Sequence, residues 1–144
     1  MSARGDIKSA LVTKLKEING ASPYVSNLYG NVKDKLIYWD EVPDYPFVCL
    51  TVSNEAREYL PGNFKWGILS VPIWVYLKTD NSEKKLEDIF SDIELMVDNN
   101  QELEYSTGMF TEDIRVLNLS SDEGLMEPLR IGEILLQVRY GIGG

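Results

Sequence analysis

WGILSVPIWVYLKTDNSEKKLEDIFSDIELMVDN, residues 66–99, holds two periodicities in succession. Over Trp66–Lys78, Val71, Ile73, Val75 and Leu77 alternate with Ser70, Pro72, Trp74 and Tyr76. A period of two is that of a β-strand. Pro72 has no backbone donor, so the strand is expected at a sheet edge or bulged there. From Ser82 to Asn99 the period becomes helical. Leu86, Ile89, Phe90, Ile93, Met96 and Val97 form one stripe, and Glu83, Lys84, Lys85, Glu87, Asp88 and Glu94 cover the outside. Asp80, Asn81 or Ser82 can cap this helix, and Asp80 with Glu83 has the capping-box spacing.

Working outward, Asp6 can cap a first helix from about Ile7 to Ile18, with Ile7, Leu11, Leu15 and Ile18 on one face and Gly20 as its stop. Ala21–Asn31 reads as a loop tied down by Tyr24, Val25, Leu28 and Tyr29. Lys35–Trp39 reads as a short strand, Asp40–Pro46 as irregular, and Phe47–Ser53 as a second strand with a polar extension over Asn54–Glu58. Leu60-Pro61-Gly62-Asn63 is a turn signal. Beyond the second helix, Gln101–Gly108 is a polar connection. Ile114–Leu119 and Leu129–Tyr140 are strands joined by the loop Ser120–Pro128, and Gly141–Gly144 is a flexible tail.

The order α-β-β-β-α-β-β defines an α+β class. The economical arrangement is a mostly antiparallel β-sheet of four to five strands with both helices packed on one face. We expect one domain over 1–144, with flexible ends at about 1–5 and 141–144 and a mobile hairpin at about 58–65. That hairpin reads as an arm that becomes ordered on contact.

Composition removes most chemistry. The chain has no histidine, which excludes Ser-His-Asp and Cys-His catalysis and histidine-bound metal. Its one cysteine, Cys49, lies mid-strand between apolar neighbours and reads as an inert packed thiol in a reducing compartment. No glycine-rich phosphate loop occurs. Fourteen basic residues against 23 acidic ones give a net charge of −9, which argues against binding nucleic acid or anionic lipid. No apolar run reaches the roughly 18 residues of a membrane span, and the first residues lack the apolar core of a signal peptide. On that reading the sequon at Asn118 and the Arg4-Gly5-Asp6 tripeptide carry no function. The acidic groups Asp34, Asp40, Glu41 and Asp44, or Glu123 and Glu127, or Glu102 and Glu104, read as solvated loops or connections without EF-hand spacing. No cofactor is expected.

What remains is surface. Trp66–Leu77 is apolar on both strand faces, and a one-sided helical cover buries only one of them. Tyr59, Leu60 and Phe64 flank the turn, where a lone monomer favours polar residues. The expected subunit or partner interface is therefore Tyr59, Leu60, Phe64, Trp66, Trp74 and Tyr76.

The order of elements from Ile7 to Tyr140 resembles the tail terminator (tail completion, minor tail protein U-like) family of long-tailed bacteriophages. The features that carry the resemblance are the first helix, Tyr45-Pro46-Phe47-Val48-Cys49-Leu50 leading into a strand, the hairpin, and Trp66 to Lys78. The acid-capped helix Ser82–Asn99, Ile114, the loop with Asp122 and Gly124, and the closing strand Ile134–Tyr140 complete it. The resemblance implies a structural virion protein of the tail, assembled in the host cytoplasm, and not an enzyme. It implies a homo-oligomeric ring, usually a hexamer, that caps the tail tube and stops its polymerisation. The implied partners are the tail tube protein and a head completion or connector protein, with no membrane. DNA would cross the lumen without specific binding, lined by Asp40, Glu41, Asp44, Asp122, Glu123 and Glu127. Two other readings stand beside it. A cytoplasmic adaptor or small-ligand-binding domain predicts a stable monomer with a closed apolar pocket. A carboxylate- or metal-dependent enzyme predicts a pocket with two convergent acids.

Overall fold

The computed structural model describes residues 3–79, 82–122 and 129–143. Two helices, α1 (Ala3–Leu15) and α2 (Ser82–Asn99), accompany eight strands. These are β1 (Val32–Lys33), β2 (Phe47–Leu50), β3 (Asn54–Tyr59), β4 (Phe64–Lys78), β5 (Glu104–Ser106), β6 (Met109–Phe110), β7 (Asp113–Ser121) and β8 (Leu129–Gly143). The main sheet runs β1-β2-β4-β8-β7, with β3 also paired to β4. Only the β1–β2 pairing is parallel among these ladders. The α+β class with a mostly antiparallel sheet holds. The main sheet has six strands instead of four to five, and a separate β5–β6 hairpin occupies the stretch read as a polar connection.

Both helices cover one face. Ile7, Leu11 and Leu15 of α1 and the whole predicted stripe of α2 join a single buried cluster with Val71, Ile73, Val75, Leu77, Ile134, Leu136 and Val138. α1 begins and ends earlier than the sequence suggests, so Asp6 lies in its first turn instead of capping it. Ile18 is still buried, because tight turns follow: Glu17 N–H donates to the Lys14 carbonyl and Ile18 N–H to that of Leu15, both at 3.1 Å. Asp80 and Asn81, read as caps of α2, lie outside the described residues.

β4 is the central strand, and Pro72 breaks the ladder on one side of it. Leu50 pairs with Ile73 and Asn54 with Ser70, so three residues (Thr51, Val52 and Ser53) face two (Val71 and Pro72). In an antiparallel ladder a residue's N–H and C=O point to the same neighbour. The Pro72 carbonyl accepts from Thr51 N–H at 3.4 Å, so its proton-less nitrogen faces that side too. The predicted single strand Phe47–Ser53 with its extension therefore splits into β2 and β3, one residue out of register. The bulge expected near Pro72 falls on the neighbouring segment Thr51–Ser53, and β4 is not an edge.

The predicted strand Lys35–Trp39 is absent. Its place in the sheet goes to β1, and Trp39–Glu41 forms a 3-10 turn. Ile37, Val42 and Tyr45 instead cross the sheet's second face as a strap over Phe47, Cys49 and Tyr76. The Tyr76 hydroxyl donates to the Ile37 carbonyl at 2.7 Å, which satisfies a group that a ladder would otherwise need. β8 extends through Gly143, opposite Phe64, where a flexible tail is predicted.

Glu55 ties β3 to the helical side. Its carboxylate accepts from the Tyr140 hydroxyl and from Arg57, and Arg4 of α1 lies 4.0 Å away. Burial alone would push the Glu55 pKa up. The Tyr140 and Arg57 hydrogen bonds and the charges of Arg57 and Arg4 outweigh it and hold the carboxyl below its usual range. Burial, then the Glu55 hydrogen bond, push Tyr140 up to about 12. A lowered carboxylate pKa contributes stability that is complete above the ordinary value of 4.5 and is lost as pH falls through the lower folded value. Glu55→Gln should therefore lower the melting temperature at pH 7. The gap to the parent chain should close as the pH is taken below about 4, as melting curves at both pH values would record. A gap that stays constant would remove the ionic contribution.

Candidate interaction surfaces

Alternation along β4 turns Phe64, Trp66, Ile68, Trp74 and Tyr76 to the face opposite the helices. That face has two zones. At the β2 end the strap covers it, and Tyr76 is 1% exposed. Tyr76 therefore belongs to the core, a correction to the predicted interface set, because the chain supplies its own second layer there. Cys49 is buried in the same cluster, and desolvation pushes its thiol pKa up, which keeps it protonated and inert.

Towards the β3–β4 hairpin, Trp66, Ile68 and Leu135 are half-buried on this face, with Ser70, Gln137 and Arg139 among them. Phe64 stands edge-on to Trp66, centroids 5.0 Å apart at 86°. The Arg139 guanidinium lies 5.0 Å over the Trp66 ring, and its Nη2 donates to Asp113 Oδ2 at 2.7 Å. Trp74 Nε1 donates to Glu133 Oε2 at 2.8 Å. These ties fix the rings in place, with Arg139 over one face of Trp66. Gly62 and Asn63 turn the hairpin, both with positive φ. Tyr59 stands out at 73% exposure beside half-buried Leu60 and Phe64.

The acidic residues fall near one end of the sheet. Asp40 and Glu41 sit exposed on the 3-10 turn of the strap, and exposed Asp44 accepts from the Tyr45 N–H at 2.9 Å. Asp122, half-buried, follows β7 and donates its N–H to the carbonyl of Ile131, whose side chain packs on the strap cluster. Glu123 and Glu127 lie outside the described residues. A shallow groove of about 220 Å³ brings Asp122 together with Trp74 and Glu133. No cluster of three or more metal-ligating side chains occurs among the described residues.

A larger cleft of about 490 Å³ opens at the far end of β4, lined by Val25, Tyr29, Tyr45, Leu77, Lys78 and Lys85 among others. Asp92 of α2 shapes it. This side chain is 3% exposed and accepts from Val25 N–H at 3.2 Å and Ser26 N–H at 2.7 Å, which pins the loop over the helix. The predicted loop anchors divide. Leu28 is buried, whereas Val25 and Tyr29 face outward at 75% and 68% exposure. Asp92 was detectable in the sequence. It is three residues after Ile89 and four before Met96, so it lies on the apolar stripe, where a carboxylate needs donors.

The six-stranded sheet with helices on one face and a half-open second face has a counterpart among solved structures. A chain of the virion of a native gene transfer agent particle matches it with a TM-score of 0.73, at 14% identity, covering 99% of this chain and 100% of that one. The sequence carries the relationship further. Residues 1–142 match the family model described as Bacteriophage Tail Tube Terminator Protein. The tail tube terminator protein p142 of Escherichia phage T5 is 34% identical over 153 residues, covering 97% of this chain and 94% of that protein. The chain belongs to the bacteriophage tail tube terminator family, structural proteins of the virion tail.

Proposed function

We propose that this chain acts as one domain, 1–144, that assembles into a ring, a hexamer, at the end of the tail tube. The ring stops tube polymerisation and presents its other face to the head completion or connector protein. Family membership supports the tube end as its place. The observation that carries the ring is the set of half-buried apolar side chains Trp66, Ile68 and Leu135 on the face opposite the helices, together with exposed Tyr59 at the hairpin. A closed ring needs two different patches on each subunit, and this zone with the hairpin supplies one of them. Exposed Asp40, Glu41 and Asp44, with Asp122 at the same end, suit a lumen that repels DNA phosphate, reinforced by −9 per subunit. Sedimentation at increasing concentration, with and without tube protein, tests the reading. A species that stays monomeric throughout would sink it.

Tyr59→Ala with Phe64→Ala should weaken assembly and leave the monomer folded. Tyr59 gives up an exposed ring, and Phe64 an aromatic pair worth about 0.5–1.5 kcal/mol. Sedimentation should shift to smaller species while the melting curve falls by only a few degrees. Loss of the folded signal would show instead that these rings are core.

A further inference from the structure

Among the described strands, the sheet is open along two edges. β7 is the last strand and pairs with β8 alone, and β3 pairs with β4 alone. Exposed edges are commonly blunted by charge or proline. Past its bulge at Leu117, β7 reads Asn118-Leu119-Ser120-Ser121, four exposed residues with neither. Two hydrogen bonds fix which backbone groups point outward. Leu60 N–H donates inward to the Phe64 carbonyl and Asp122 N–H inward to that of Ile131, both at 2.9 Å. By alternation, Glu55 and Arg57 of β3 and Leu119 of β7 turn their N–H and C=O groups away from the sheet. Near the start of β7 the outward groups of Ile114 are taken by the Gln101 side chain, which accepts from the N–H at 3.2 Å and donates to the carbonyl at 2.6 Å. The open stretch therefore begins at the next outward residue, Val116.

The two edges match in direction, stagger and charge. β3, β4, β8 and β7 alternate in direction. A neighbour generated by rotation about an axis along the strands thus presents its β3 antiparallel to β7. A sheet that closes on itself tilts its strands by about 35–45°, roughly one residue of stagger per strand. Four strands then give about four residues. In one chain Asn118 is level with Leu135 and Pro72, and Ala56 is level with Ile68, four positions along β4. The closing stagger therefore sets Ala56 of one copy opposite Asn118 of the next. Arg57 then faces Val116 and Glu55 faces Leu119, so outward groups meet outward groups. Glu58 falls opposite Arg115. Both are exposed, on the face away from the helices, and opposite in charge. Asp113, 3.8 Å from Arg115, is already held by Arg139 at 2.7 Å.

We propose that β3 of one copy adds as an antiparallel strand to the β7 edge of the next, in the register that places Ala56 beside Asn118 and Glu58 beside Arg115. The contact is head-to-tail, the kind that propagates around a ring. It rests on the ring reading above and assigns that ring's second patch to β7.

Paired cysteines test it in the full chain with tube protein present, and buried Cys49 serves as an internal control. Ala56 and Asn118 would form a non-hydrogen-bonded pair, close enough for a disulfide. Ala56→Cys protein mixed with Asn118→Cys protein should give a linked dimer under mild oxidation, and each variant alone should give none. The double variant should give a ladder ending at the closed ring. Glu58→Arg and Arg115→Glu should each weaken association about tenfold, and combining them should restore it. Leu119→Pro removes an outward N–H and spares the ladder to β8, so assembly should be lost with the melting curve near that of the parent. Leu119→Ala should assemble normally. The cysteine pair decides the matter if Leu119→Pro fails to fold. A normal-sized assembly with no link overturns the inference and leaves the ring reading standing. A dimer from Asn118→Cys alone also overturns it, because β7 then pairs with itself. If the parent and every variant stay monomeric, the ring reading fails and the inference with it.

Discussion

Ile93→Asp is expected to abolish the folded state. Ile93 is fully buried in the middle of α2, within the cluster that joins both helices to the sheet. Truncating such a side chain alone costs about 2–5 kcal/mol. The carboxylate adds the cost of a charge that no described cation reaches inside the cluster, several kcal/mol more unless it takes up a proton. The total rivals the roughly 5–15 kcal/mol that hold a domain of this size together. Circular dichroism should show lost near-ultraviolet signal and no cooperative melt at pH 7. Ile93→Val, which keeps the position apolar, should cost only about 0.5–1.5 kcal/mol. A cooperative melt for Ile93→Asp within a few degrees of the parent would mean that α2 is not docked as described.

The same burial explains which parts of the fold were legible in the sequence. α2 could be read residue by residue, because its stripe has one period and one neighbour, the sheet. The central parts of β4 and β8 could be read for the same reason, by alternation over Val71–Leu77 and Ile134–Tyr140, although each strand runs to 15 residues. The strap could not. Lys35–Trp39 has the composition of a strand, yet a strand is fixed by its ladder, and the register beside β2 is already filled by Val32 and Lys33. Residues such as Ile37 then serve the sheet from above, which no local pattern records. The split of β2 from β3 was half visible. Pro72 announced a missing donor, but which neighbour would absorb the defect depended on the direction of its carbonyl. The interface set fared similarly. Apolar character at a turn marked Tyr59 and Phe64 as expected interface residues, whereas Tyr76, on the strand face of Phe64, is buried because the strap comes back over it. The cleft left one trace in the sequence, a carboxylate at position 92 on an otherwise apolar stripe.

Gly132→Val should be a strongly damaging conservative change in the sheet. Gly132 lies in β8 beneath the first half of α2, and a Cβ placed there would meet Leu86 Cδ1 and Phe90 Cζ, both at 2.7 Å. Neither side chain has open space to move into, since both are buried in the cluster. A branched residue in a strand gains at most about 1 kcal/mol of β-propensity over glycine. Overpacking costs typically 1–3 kcal/mol for a methylene or two, and valine adds three carbons, so overpacking wins. The expected loss is about 2–4 kcal/mol, with Gly132→Ala nearer 1–2. Denaturant melts of a double-mutant cycle with Leu86→Ala would identify the cause. If the clash is the mechanism, shortening Leu86 makes room, and the pair should cost less than the sum of the single changes by at least about 1 kcal/mol. Strict additivity would place the damage in the strand backbone instead.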